Sequence, residues 1–233
     1  AGGTDAGTVV ENTATISYSV GGAPQAPISS LVADFKVDQK VDLTVTGNSG
    51  VNIIVSPSSP RATPVNKLTY VVNNEGNSPQ DFKINVTHLG SDDFDAGTGT
   101  TAAPQAPEVC QFTVDGGSAN ALTATPTVSL AKDATATIEV TCSMPNRPDV
   151  DDGHVSTIDV LATAVDSGGV TMAESAIADR EDEVDVVLAD GTGTATDTAV
   201  GTGARNAMHS DTQTYEIDVP MLTVVKTSAV ISD

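Results

Sequence analysis

The stretch KLTYVVNNEGNSPQDFKINVT (residues 67–87) contains two runs of alternating apolar and polar side chains. Leu68, Tyr70 and Val72 share one face of the first run, and residues 82–86 repeat the pattern. A period of two is typical of a β-strand that buries one of its faces. Between the runs, Gly76 can adopt positive φ in a segment rich in turn-forming residues. The stretch therefore predicts two strands joined by a tight turn, with Tyr70 as a core anchor.

The same alternation recurs along the chain, at residues 14–20, 41–46 and 134–140. Thr and Val dominate these runs, and both are β-branched residues that suit a pleated sheet. Clusters of Gly, Asn, Asp and Pro separate the runs. Short strands with this spacing predict an all-β fold, an immunoglobulin-like antiparallel β-sandwich with additional N- and C-terminal strands.

Changes in composition divide the chain into three predicted parts. Residues 1–38 form an N-terminal strand pair, in which a donor strand could lie. Residues 39–165 carry the strands of the sandwich and both cysteines. Residues 166–233 form a loop-rich acidic segment with C-terminal strands, and the Gly/Thr/Ala-rich residues 190–204 are typical of a flexible loop.

The two cysteines of the chain, Cys110 and Cys142, each lie in a strand-like run. In an oxidising compartment they predict one disulfide, and the alternative is a pair of buried free thiols. The sequence begins Ala1-Gly2-Gly3-Thr4 rather than with Met, which is consistent with signal-peptide cleavage or with a truncated chain. We therefore expect a secreted, extracellular or cell-surface protein.

The charge of the chain excludes some partners. It has 31 acidic and 10 basic residues and a net charge of −21. Such a field repels phosphate backbones, which argues against nucleic-acid binding. The sequence contains no apolar run long enough to predict a membrane span.

Three short motifs resemble the DUF11-type conserved repeats of bacterial surface proteins. They are the strand and turn at residues 67–78, VENTATISY at residues 10–18 and LTVVKTS at residues 222–228. Asn74 and the insertions after Asp166 depart from the pattern of that family. The resemblance implies an extracellular immunoglobulin-like sandwich used in surface architecture, adhesion or fibres, and it implies no catalytic residue.

The sequence shows no recognisable pattern of catalytic residues. His88, His154 and His209 are far apart, and no nucleophile-elbow or phosphate-loop motif occurs. We therefore predict that the chain is not an enzyme and that it requires no cofactor.

Acidic clusters suggest Ca²⁺ as a bound ion, because Ca²⁺ takes carboxylate and carbonyl oxygens from loops. None of the clusters has the spacing of an EF-hand, and a solvated acidic surface is the alternative interpretation. The candidate ligands are Asp92, Asp93, Asp95, Asp149, Asp151, Asp152, Asp179, Glu181 and Asp182.

The terminal strands lead to the functional prediction. A terminal strand can pair with a neighbouring subunit, and head-to-tail pairing of this kind generates filaments. We therefore expect an extracellular structural protein, a subunit of a surface filament or surface layer that assembles with itself by β-strand exchange. The alternative is a Ca-dependent adhesin, or a surface module that binds a carbohydrate or a host protein. The residues assigned to strand exchange are Val9, Val10, Ile16, Tyr18, Val20, Leu222, Val224 and Val225.

Overall fold

The structure is a computed structural model, and it describes residues 3–48, 51–57, 67–89, 93, 110–144, 150–176, 180–198, 204–219 and 225–226. Regular structure in these residues is β-strand, with no α-helix among them. The N-terminal strands are β1 (Val9–Asn12), β2 (Thr15–Ile16), β3 (Ser19–Val20), β4 (Ala23–Pro24), β5 (Ile28–Ser29) and β6 (Ala33–Lys36). The next strands are β7 (Gln39–Val41), β8 (Leu43–Gly47), β9 (Ile53–Val55), β10 (Lys67–Asn74), β11 (Gln80–His88) and β12 (Gln111–Val114). The last strands are β13 (Asn120–Ala121), β14 (Thr127–Leu130), β15 (Thr135–Thr141), β16 (Val155–Val165), β17 (Val186–Leu188) and β18 (Met208–Ile217).

Two five-stranded sheets form the body of the molecule. Sheet I has the order β13-β12-β15-β10-β8, and sheet II has the order β14-β11-β16-β18-β9. Neighbouring strands are antiparallel except that β9 runs parallel to β18. Strands β8 and β9 divide the first part of the body between the two sheets. The predicted all-β sandwich is confirmed.

Two buried tyrosines connect the sheets. The Tyr70 hydroxyl, on sheet I, donates to the Ile158 carbonyl at 2.8 Å and accepts the Gln213 N–H at 3.1 Å, both on sheet II. The Tyr215 hydroxyl, on sheet II, donates to the Val140 carbonyl of sheet I at 3.3 Å. Both side chains are fully buried, and burial raises the pKa of each phenol. The role predicted for Tyr70 as a core anchor agrees with this placement.

The turn between β10 and β11 depends on Asn74. Its side-chain NH₂ group donates to the carbonyls of residues 78, 130 and 131 at 2.9–3.2 Å, and its Oδ1 accepts the Gly76 N–H. Gly76 does not have the positive φ expected from the sequence. Glycine fits there because a Cβ would lie 2.5 Å from the carbonyl oxygen of Lys40. Close approach of two backbone segments, and not φ, explains this glycine.

The cysteines form the predicted disulfide. Cys110 and Cys142 flank the paired strands β12 and β15, in which Gln111 lies opposite Thr141. Their Cα atoms are 4.1 Å apart, and both residues are buried. The disulfide therefore joins two neighbouring strands of sheet I.

The sandwich extends beyond the predicted boundary at residue 165. Strand β18 lies beside β16 over nine residue pairs, between Val155↔Glu216 and Thr163↔Met208. Strand β17 pairs in parallel with β7. The insertions after β16 interrupt the sequence pattern but not the sheet. Strand β11 pairs with one edge of β16, and β18 pairs with the other edge.

Short strands and side chains protect the sheet edges. At three of the edges lie β13, β14 and β9, which have two, four and three residues. The fourth edge is β8, whose Val45 N–H donates to His209 Nδ1 at 3.1 Å and whose Gly47 N–H donates to Asp211 Oδ2 at 2.6 Å. Short or occupied edges are how β-proteins avoid pairing with other chains.

Candidate functional sites: an apolar arm and a buried carboxyl cluster

Residues 9–36 form a two-stranded hairpin, which we call the arm. Its cross-strand pairs run from Val9↔Lys36 through Ile16↔Ile28 to Val20↔Ala23. Gly21 and Gly22 turn the chain at the tip, both with positive φ. Two consecutive residues with positive φ are typical of the turn that matches the twist of a β-hairpin.

The arm exposes a large amount of apolar surface. Every one of its residues is exposed, including nine large apolar side chains. Leu31 is 92% exposed, Ile16 is 65% exposed and Ile28 is 59% exposed. The other six are Val9, Val10, Tyr18, Val20, Val32 and Phe35. Nine large apolar side chains exposed on one hairpin are more than scattered surface positions account for and are characteristic of an interaction site.

Hydrogen bonds at the base of the arm connect it to the body. Residues 7 and 8 pair with Val37 through two backbone hydrogen bonds of 2.8 and 2.9 Å. The Lys36 N–H donates to the Glu181 carbonyl at 3.1 Å, and Lys36 Nζ donates to the Asp182 carbonyl at 2.7 Å. Nearby, Arg180 pairs with Asp185 and lowers the pKa of that carboxyl. The base is thus anchored while the rest of the arm projects from the body.

A second feature is a set of buried carboxyl groups on the outer face of sheet II. Residues 190–198, which we call the strap, lie across β16 and β18. Asp159 of β16 has no exposed surface, and Asp190 and Asp197 of the strap are 3% and 2% exposed. The strap lies so close to β18 that a Cβ at Gly193 would be 2.6 Å from the Ser210 carbonyl oxygen.

The three carboxyl groups differ in their hydrogen bonds. Asp197 accepts the Gly193 N–H at 3.0 Å and the Asn206 side-chain amide at 2.8 Å. Asp190 Oδ2 accepts the Asn206 N–H at 2.9 Å. Asp159 Oδ2 accepts the Thr196 hydroxyl at 2.6 Å. The second oxygens of Asp159 and Asp190 have no hydrogen-bond partner among the residues that the structure describes.

Burial raises the pKa of Asp159 to about 6. The hydroxyl groups of Thr196 and Ser210 oppose this shift, and the nearby carboxylate of Asp211 adds to it. A carboxyl group with this pKa changes charge in mildly acidic solution.

The sequence interpretation missed these three residues. It took residues 190–204 for a flexible loop, whereas Asp190 and Asp197 are buried. A signal for Asp159 exists, because it is a carboxylate between Ile158 and Val160 in an apolar strand. Its burial depends on the strap, which covers it from about 35 residues away along the chain.

A serine–histidine pair lies at one end of the sandwich. The His88 Nε2 atom and the Ser156 Oγ atom are 2.8 Å apart. Ser156 has no exposed surface, so a substrate has no access to its hydroxyl. The pair therefore supplies no accessible nucleophile, and the prediction that the chain is not an enzyme stays a prediction.

The structure places the predicted Ca²⁺ ligands as follows. Asp92, Asp95, Asp149 and Asp179 lie outside the described residues. Asp93 lies near the loop that contains Asp151 and Asp152, because its Oδ2 accepts the N–H of Val155, which follows that loop, at 3.2 Å. Glu181 and Asp182 contribute backbone carbonyls to the base of the arm. Within the described ranges, no group of three or more His, Cys, Asp or Glu residues is arranged to hold a metal ion. Ca²⁺ binding stays a prediction.

The residues predicted to exchange strands are also placed in part. Val9, Val10, Ile16, Tyr18 and Val20 lie in the arm, where their strand is already paired within its own chain. Leu222 and Val224 lie outside the described residues, and Val225 is 77% exposed. The described part of the chain contains no helix able to cross a membrane.

Comparison with known proteins gives a distant structural similarity. No family model and no curated protein sequence matches the chain. A solved structure described as "AvmM Catalyzes Macrocyclization in Alchivemycin A Biosynthesis" is similar with a TM-score of 0.39 and 10% sequence identity. The similarity covers 82% of this chain and 95% of the AvmM chain. At this level the activity of AvmM is not transferred to this chain, and the resemblance to DUF11-type repeats stays a prediction.

The prediction of a filament or surface-layer subunit is wrong. The physical reasons lie in the strands themselves, because the proposed N-terminal donor pairs within the arm and the sheet edges are short or capped. The alternative of a Ca-dependent adhesin is set aside together with that prediction.

Proposed function

We propose that this chain is an extracellular domain that docks onto a different protein through the faces of its arm. The observation that carries the proposal is the row of nine exposed, large apolar side chains on a hairpin that is already paired. An isolated two-stranded hairpin is at best marginally stable in water, so a partner that covers it stabilises both. The buried disulfide supports the extracellular location.

Charge indicates which kind of partner the arm fits. Residues 12–33 contain no charged residue, whereas the whole chain carries a net charge of −21. Two copies of such an acidic body repel each other, which disfavours a second copy as the partner. A protein with an apolar groove and a neutral or basic rim complements both the arm and the body beside it.

The size of the arm favours a groove over a flat surface. Twelve residues of extended strand span roughly 40 Å, and two strands are about 10 Å wide. Each face therefore offers on the order of 400 Å², and both faces together approach the roughly 800 Å² per partner of a standard interface. We infer that the partner encloses the arm on both faces.

Site-specific photo-crosslinking tests the proposal. A photoreactive phenylalanine analogue replaces Ile16 or Ile28 in the producing organism, and a matched control carries it at Val170, an equally exposed position on the body. We expect a cross-linked species with one other protein from positions 16 and 28 and none from position 170. The partner is then identified by mass spectrometry and purified.

Binding of the purified partner completes the test. Ile16→Ser together with Ile28→Ser should weaken its affinity by at least about tenfold, because each buried Ile contributes about 1.5–3 kcal/mol. Val170→Ser should leave the affinity unchanged. The proposal would be overturned by cross-links between copies of this chain alone, or by the absence of cross-links from the arm. It would also be overturned if the Ile16→Ser/Ile28→Ser variant and the Val170→Ser variant bound the partner with equal affinity.

A further inference from the structure

The cluster of Asp159, Asp190 and Asp197 lacks the positive charge that buried carboxylates need. Among the described residues, no Lys or Arg bonds Asp159, Asp190 or Asp197, and Arg205 in the adjoining segment is exposed. A buried carboxylate without a cation or enough donors is costly, so it takes up a proton instead.

Hydrogen bonding singles out Asp159 as the carboxyl that holds the proton. Both oxygens of Asp197 accept N–H donors, and so does one oxygen of Asp190. Asp159 Oδ2 accepts the hydroxyl of Thr196, and the Ser210 hydroxyl and the Thr196 backbone also favour its charged form. Its other oxygen is buried without a hydrogen-bond partner among the residues that the structure describes. Its neighbours on the adjacent strands are uncharged, since Thr87 of β11 and Thr212 of β18 lie opposite it.

Acidic groups lie near Asp159, and the carboxylate of Asp211 disfavours its ionisation. Asp211 on β18 and the Tyr70 phenol on β10 are close enough to interact with it electrostatically. Asp190 and Asp197, on the strap that covers Asp159, are buried as well. Since these groups are acidic, every ionised neighbour makes a second negative charge in this place less favourable.

Hydrogen bonds of Thr194 and Asp197 hold the strap to β18. Thr194 N–H donates to the Ser210 carbonyl at 3.0 Å, and Asp197 N–H donates to the Ser210 hydroxyl at 3.2 Å. The Ser210 hydroxyl in turn donates to the Thr194 carbonyl. Beyond these, the Thr196–Asp159 hydrogen bond connects the strap directly to β16.

We propose that the strap is a proton-operated latch, closed on the outer face of sheet II while Asp159 is protonated and loosened when Asp159 ionises. Ionisation creates an unpaired charge beneath the strap, and opening lets water solvate that charge. Opening uncovers the outer face of β16 and β18 around Asp159 and Ser210. The proposal does not depend on the function proposed for the arm, which lies elsewhere on the body.

Hydrogen–deuterium exchange of the purified full chain tests the latch at about pH 5 and about pH 7.5, after correction for intrinsic exchange rates. The reporters are the amides of residues 193, 194 and 197, which are hydrogen-bonded when the strap is closed. We expect their protection to fall about tenfold between the two pH values, because the closed form has a pKa near 6 and the open form one near 4.

Two variants make the test specific. Asp159→Asn stays uncharged, so strap protection should no longer change with pH. Asp182→Asn removes one exposed charge at the base of the arm, outside the strap, and should leave the pH dependence of the natural chain intact. Amides of β10, such as that of Val72, report in each sample that the body stays folded.

Three results would overturn the latch. The natural chain could show equal strap protection at both pH values, or Asp159→Asn could keep the full pH dependence. Alternatively, millimolar Ca²⁺ or Na⁺ could restore protection at pH 7.5 in the natural chain but not in Asp159→Asn. That last result would assign the carboxyl cluster to a bound cation rather than to a proton.

Discussion

At the residue scale, Asp159 makes the stability of the fold depend on pH. Its pKa is raised to about 6 in the folded chain from 3.8, so between these values the folded state holds more protons than the unfolded state. The contribution of protonated Asp159 to the free energy of unfolding is therefore fully present below about pH 4 and is lost as the pH rises through about 6. A shift of this size corresponds to about 3 kcal/mol.

Urea unfolding of the natural chain and of Asp159→Asn measures this contribution. We expect the stability of the variant relative to the natural chain to increase by about 2.4 kcal/mol between pH 4 and pH 7.5. Subtracting the stability of one protein from that of the other cancels the pH dependence that comes from all other carboxylates, because both proteins contain them. A difference that stays constant across this range would contradict the assignment.

Asn74 carries a second prediction at this scale. Asn74→Ala should lower the free energy of unfolding by about 3 kcal/mol, because buried carbonyls of the turn and of β14 lose their donor. Asn73→Ala is the matched control, since the Asn73 side chain is only half-buried and donates to Glu75. The control should cost less than about 1 kcal/mol. Equal losses in denaturant unfolding would show that Asn74 is not special.

Individual residues also show which features of the fold could be predicted from the sequence and which could not. Tyr70 was predictable as a core anchor because it alternates with Leu68 and Val72 in a clear strand. Asn74 was taken only as a departure from a family pattern, since its acceptors at residues 130 and 131 are more than 50 positions away. Asp159 was not found for the same reason. Long-range contacts, which local alternation does not encode, decide the burial of both polar side chains.

At the element scale, the disulfide fixes β12 to β15. It closes a loop with a sequence separation of 32 residues. The chain-entropy relation gives about 3–4 kcal/mol of stabilisation for a loop of this length. We expect Cys110→Ala with Cys142→Ala to lose about this amount in urea unfolding. A reducing agent should lower the stability of the natural chain similarly and leave the double variant unchanged; a natural chain insensitive to reduction would contradict this.

The arm should be dispensable for folding of the body. Replacing residues 12–33 by a two-glycine turn removes side chains that are all exposed. We therefore expect the free energy of unfolding of the body to change by less than about 1 kcal/mol. Thermal unfolding followed by near-UV circular dichroism measures this change, because the aromatic residues buried in the body are retained. A large loss would show that the arm packs on the body.

Local sequence patterns predicted the strands better than their arrangement. The runs at residues 67–72, 82–87 and 134–140 became β10, β11 and β15 because each alternates clearly. The return of β18 to the sheet was assigned to a separate segment, since 42 residues separate it from β16. The arm was predicted as strands but given the wrong role. Its apolar residues suggested a donor, whereas its Gly21-Gly22 turn pairs it with itself.

At the scale of the whole molecule, the net charge of −21 opposes self-association. At about 0.01 M salt the screening length is about 30 Å, so two acidic bodies repel across a distance comparable to their size. We expect sedimentation velocity to show a monomer at low and physiological salt. Concentration-dependent oligomers at low salt would contradict the assignment of the arm to a different protein.

In the proposed function, the arm docks as an intact hairpin. The Thr15 and Ser29 hydroxyl oxygens are 3.0 Å apart across the arm, so Thr15→Cys with Ser29→Cys can lock its strands with a disulfide. Two proteins that both carry the photoreactive analogue at position 16 are then compared. One is the oxidised Thr15→Cys/Ser29→Cys variant, and the other keeps the natural Thr15 and Ser29. We predict the same partner and the same yield, because docking by the faces needs no strand separation. Loss of the cross-link on oxidation, with recovery on reduction, would show instead that the strands of the arm must separate for binding.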